Sequence, residues 1–98
     1  MSAQWIRNKV LAEVSTNDDG RIVVLDWGDN KFGNLSNLVR LNKYGGKIWT
    51  AALPPHSVND CFTTVAWDGP LLRANTYSGY AIWVDPRSGE HVRSRFGK

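Results

Sequence analysis

Tyr80-Ala81-Ile82-Trp83-Val84-Asp85-Pro86-Arg87-Ser88-Gly89-Glu90-His91-Val92 decides the fold: an alternating apolar run, a polar turn ending in glycine, then a second extended run. Alternation at period two is the mark of a half-buried strand, and Pro, Ser and Gly between two such runs mark a hairpin. The same order occurs earlier, in Asn37-Leu38-Val39-Arg40-Leu41-Asn42-Lys43-Tyr44-Gly45-Gly46-Lys47-Ile48-Trp49. Val39 and Ile82, Leu41 and Val84, Asn42 and Asp85, and Gly46 and Gly89 each lie 43 apart, while Asp19-Gly20 and Asp68-Gly69 lie 49 apart. The first copy therefore carries about six extra residues, which fit its Gly- and Asn-rich segment from Gly28 to Ser36.

Working outward, strands are expected near Val10 to Thr16, Arg21 to Trp27, Asn37 to Asn42, Lys47 to Ala52, Cys61 to Trp67, Leu71 to Thr76, Tyr80 to Asp85 and Glu90 to Phe96. No window keeps a helical period with caps, so the chain reads as all-β. It is one domain of 98 residues, with a lead at 1–9, a first blade-like repeat at 10–53 and a second at 54–98. Each repeat is expected to be a four-stranded antiparallel meander, and a repeat of about 40 to 50 residues made of four strands is the pattern of a propeller blade.

The segments Leu41 to Trp49 and Val84 to Arg93 resemble the strand-turn-strand of quinoprotein-like β-propeller repeats. In that family an aliphatic residue and Asp or Asn end the third strand, a Gly makes the turn, and a Trp four residues after the Gly packs between blades. Asn42, Gly45 and Trp49 match the short form of the pattern. Asp85 and Gly89 match a longer form, but Arg93 stands where the Trp belongs. The resemblance implies blades and no bound quinone, so no cofactor is expected. Two blades need further units to cover their faces, which predicts a homo-oligomeric ring, three chains for six blades or four for eight. The alternative is a monomer whose two sheets pack as a β-sandwich.

Composition narrows the function. Twelve Lys and Arg against nine Asp and Glu give a net charge of +3 spread over both halves, so nucleic acid is not the expected partner. No apolar run approaches the length of a membrane span, and no leader is visible, which points by default to the cytoplasm. The spacing of Cys61 and His56 demonstrates neither the contact nor the third orienting group that a thiolate site needs, and His56 and His91 lie 35 apart with no ligand pair, so neither catalysis nor metal is expected. The aspartates sit mainly at turns, where they bond local backbone.

Five tryptophans remain. Trp49 and Trp83 fall in alternating strands and read as packing residues, whereas Trp27 and Trp67 end strands beside polar turns, where a ring either packs or stacks on a ligand. Loops on a rigid scaffold carry binding. The candidate ligand-contacting residues are therefore Trp27, Asp29, Asn30, Phe32, His56, Asn59, Trp67 and Tyr77. The expected role is a non-enzymatic binding module for carbohydrate or a protein surface, against a protein-interaction or structural assembly unit with no small-molecule ligand.

Overall fold

The Tyr80 to Val92 hairpin is present as two antiparallel strands joined by a turn at Asp85–Gly89, in a computed structural model that describes residues 9–26, 36–54 and 60–97. There are eight strands in chain order: β1 (Val10–Ser15), β2 (Arg21–Leu25), β3 (Leu38–Leu41), β4 (Lys47–Thr50), β5 (Phe62–Asp68), β6 (Leu71–Thr76), β7 (Tyr80–Val84) and β8 (His91–Phe96). They form two four-stranded antiparallel meanders, β1-β2-β3-β4 and β5-β6-β7-β8. The protein is all-β, as the alternation predicts. The expected strands run one or two residues beyond several of the observed ones, because residues such as Thr16, Asn42 and Asp85 already serve the turns.

The two sheets share their irregularities. In each, the outer pair carries a bulge of two residues against one, with Ile48 as the extra residue on β4 and Val92 on β8. The first pair of each sheet does the same, with Leu11 extra on β1 and Thr63 on β5. A bulge reverses the facing of the residues beyond it. Thus Val10 packs with Val23, Leu25, Val39 and Leu41 on one face of the first sheet, while Ala12 and Val14 pack on the other.

That other face meets the second sheet. Ile22, Val24, Leu38, Trp49 and Ala51 form one core with Phe62, Val65, Leu72, Ala74, Ile82 and Val84. The sheets run closest along β1 and β5. Towards β4, the large Trp49 side chain reaches across to the β7–β8 turn, and its indole N–H donates to the Pro86 carbonyl at 2.8 Å. Arg40, paired with Trp49 across β3 and β4, donates to the same carbonyl.

At the opposite end of the interface one amide joins the sheets. Asn37, 3% exposed, donates from Nδ2 to the carbonyls of Leu25 at 2.7 Å and Phe62 at 2.8 Å. Its Oδ1 accepts from the Phe62 N–H at 2.8 Å. The side chain thus acts as a surrogate peptide group that pairs with β5, and three of its four hydrogen-bonding positions are used.

Two substitutions test this account by chemical denaturation. Asn37→Ala leaves two buried carbonyls and an N–H unpaired and is expected to cost roughly 3 kcal/mol. Gly89 has φ +78°, and a Cβ there would meet the Trp49 ring at 2.7 Å, so Gly89→Ala is expected to cost about 2 kcal/mol or more. Gly69→Ala, where φ is +59° but nothing lies within 4 Å, should lose less. Equal losses at the two glycines would remove the docking of Trp49 as the cause.

Candidate functional site

A cleft opens where the turn ends of the two sheets meet. Trp67 closes β5 on the core-facing side of the second sheet, and its indole N–H donates to the Ser15 carbonyl at 2.9 Å, across the interface to β1. The bond holds the ring by its edge while 42% of the residue stays exposed. Around it stand Ser15, Thr16, Asn17, Arg40, Pro70, Pro86 and Arg87, enclosing about 600 Å³.

Each wall has a local cause. The Asn17-Asp18-Asp19-Gly20 turn reverses β1 into β2, with Asp19 at φ +66° and the Thr16 N–H donating to the Gly20 carbonyl at 3.1 Å. The Asp18 carboxylate accepts from the Thr16 hydroxyl and from the Gly20 N–H, an Asx-type arrangement that pins the turn. Its second oxygen meets Arg40 Nη2 at 3.2 Å. Arg40 is thereby stretched between Asp18 of the first sheet and Pro86 of the second, its Nε buried and without a hydrogen-bond partner among the described residues. On the far wall, Pro86 begins a turn in which the Asp85 carboxylate accepts from the Arg87 N–H at 2.8 Å.

The cleft can therefore offer an aromatic ring edged by prolines, with guanidinium, hydroxyl, amide and carbonyl groups beside it. Among the described residues that line it there is no His, Cys, Asp or Glu. The lone thiol is elsewhere: Cys61 is buried, and burial, reinforced by the neighbouring Asp60 charge, pushes it up from the ordinary thiol value. That disfavours a thiolate. Among the described residues no group of three or more His, Cys, Asp or Glu could hold a metal ion.

Of the residues expected to contact ligand, Trp67 lies in this cleft. Tyr77 is 73% exposed and lies at the opposite end of the β5–β6 hairpin, its N–H donating to the Cys61 carbonyl. The structure therefore does not bring these two together, because seven residues of β5 separate their ends. Trp27, Asp29, Asn30, Phe32, His56 and Asn59 lie outside the described residues. Near Tyr77, buried Asp60 accepts from the Cys61 N–H, the Ser78 N–H and the Ser78 hydroxyl, which makes it a clamp on the β6–β7 turn. Sequence reasoning missed Arg40, Asn17, Pro70, Pro86 and Arg87 as neighbours of Trp67. Arg40 lies on β3 and the others in three separate turns, and no local rule brings these together.

These features define an all-β two-sheet protein with an aromatic cleft between its sheets. The chain belongs to the family of the domain of unknown function DUF7957, which residues 6–96 match. No curated protein and no solved structure matches it.

The cleft wall predicts an acid response. The Thr16 hydroxyl chiefly holds the Asp18 carboxyl below its ordinary value of 3.8; desolvation, next in size, opposes it, and the Gly20 N–H and the Arg40 charge add to the lowering. A group with a depressed folded pKa stabilises the fold above its unfolded value and loses that contribution as pH falls through the folded one. Thermal melts should therefore show the wild type losing stability below pH 3.8 more steeply than Asp18→Asn. Parallel acid limbs would remove Asp18 from the cause.

Proposed function

We propose that this chain is a non-enzymatic binding module that holds a carbohydrate against Trp67 in the inter-sheet cleft. The observation that carries the reading is the half-exposed indole held edge-on by the Ser15 carbonyl. A ring fixed in that way keeps its face for the C–H surface of a sugar, at little conformational cost on binding. Asn17, Thr16, Arg87 and the turn carbonyls supply the polar contacts that select hydroxyl positions. A single open cleft of this kind suits a Kd of about 1 mM for one sugar unit, with higher affinity for longer chains.

A glycan array followed by tryptophan-fluorescence titration is the test. Saturable quenching by a sugar is expected, reduced about tenfold in Trp67→Phe and lost in Trp67→Ala, both checked for folding by circular dichroism. No binding to any sugar would sink the reading and leave a protein-interaction or structural unit. That second role is favoured by one feature: Ile48 and Phe96 on the two edge strands and Tyr44 in the β3–β4 turn are exposed.

We read the module as a monomer rather than a ring of blades. Val23, Leu25, Val39 and Leu41, on the outward face of the first sheet, are already buried within one chain. The outward face of the second sheet carries Arg73, Arg93 and Arg95. Neither presents the bare apolar surface that would draw in a copy. Light scattering at micromolar concentration should give 11.0 kDa, and a mass of three or four chains would restore the ring.

A further inference from the structure

The outward face of the second sheet, on the other side of that sheet from Trp67, includes two adjacent cross-strand rows, with the Asp68–Leu71 pair beyond them. Thr64, Asn75, Ala81 and Arg95 pair in succession across β5 to β8, and Ala66, Arg73, Trp83 and Arg93 form the next row. Trp83 is only 6% exposed although it points away from the core. The Arg93 guanidinium lies 4.4 Å from its ring centroid, with those of Arg73 at 5.5 Å and Arg95 at 6.0 Å. The indole N–H donates to Asp68 Oδ2 at 2.7 Å, which fixes the ring in its plane.

Three positive charges gathered on one ring repel one another, and among the described residues none of them forms a salt bridge. Cation–π attraction offsets part of that repulsion and holds the guanidinium planes near the indole. Each guanidinium carries five N–H donors in a fixed fork and no acceptor. Next to Trp83 the floor falls to the small Ala81, opening a groove of about 510 Å³ lined by Thr63, Arg73, Asn75, Tyr80, Ala81 and Arg95. The groove thus combines two guanidinium groups with amide and hydroxyl groups, and no carboxylate lines it.

We propose that this groove is an anion site for a phosphorylated small molecule, with Arg73 and Arg95 as the charged donors and Asn75 and Thr63 as the neutral ones. Guanidinium forks match phosphoryl oxygens in pairs, and a phosphate ester carries more charge than a single carboxylate against the excess positive charge. The arginines on β6 and β8 flank β7 and lie one row apart, so two strand spacings and two residue rises put their stems roughly 12 Å apart. That span suits two linked phosphoryl groups better than one. A single nucleic-acid strand fits less well, since base stacking needs a bare ring and Trp83 is covered.

Isothermal titration of the full chain with pyrophosphate, with inorganic phosphate, citrate and acetate as separate arms, tests the proposal. Saturable pyrophosphate binding is expected, tighter than inorganic phosphate and citrate and weakened by added salt. Arg73→Gln and Arg95→Gln should each weaken it about tenfold or more. Lys43→Gln, in the β3–β4 turn of the other sheet, should leave it unchanged. The lysine variants at 73 and 95 retain charge without the fork and should fall between. Equal weakening by Lys43→Gln would mean a general charge effect, tighter citrate binding would mean a carboxylate site, and no saturable binding would leave no site. Each of these overturns the proposal, and none bears on sugar binding at Trp67.

Discussion

The structure depends on a single buried amide. Asn37 pairs its side chain with the peptide group of Phe62 while its own carbonyl accepts from the Leu25 N–H. Strand β3 is thereby anchored to β2 through the backbone and to β5 through the side chain. Two four-stranded sheets with apolar faces could slide over one another at little cost, because hydrophobic attraction has no direction. Hydrogen bonds do have direction, and a buried one that is broken leaves unpaired groups on both sides. Asn37 therefore sets where along β5 the first sheet must sit.

With that end fixed, the other end is fixed by shape. Trp49 and Arg40 both donate to the Pro86 carbonyl, and Gly89 provides the space in which the indole lies. Trp67 adds a third polar link, to Ser15. These links place turns from both sheets beside one another, and the cleft is what lies between them. The groups that hold the sheets together are thus also the walls of the candidate site, so fold stability and the shape of the cleft are coupled.

The repeat is legible in the sequence, and so is its defect. Matching bulges at Ile48 and Val92, and at Leu11 and Thr63, show that the two sheets are built to the same local plan. The departure at Arg93, visible from spacing alone, has a structural counterpart. In the first sheet Arg on β3 pairs with Trp on β4, and in the second Trp83 on β7 pairs with Arg93 on β8. The two pairs occupy corresponding positions, but that face of the first sheet meets the second sheet whereas that of the second sheet points outward, so the Trp83 indole lies under guanidinium groups instead of between sheets. Spacing marks the position of this exchange but not its result, because cross-strand partners are set by register.

From the sequence alone came the all-β class, the eight strands, the turns and the packing of Trp49, since each follows from alternation and local turn chemistry within a few residues. Tertiary structure decided which turns share a cleft, that Trp67 belongs with Arg40 and Pro86 and not with Tyr77, and that three arginines gather on Trp83. Those contacts join residues far apart in the chain, such as Ser15 and Trp67 or Arg40 and Pro86. Periodicity reports which face of a strand a residue occupies, but the register between two sheets is set by buried directional bonds such as those of Asn37, which no local pattern encodes.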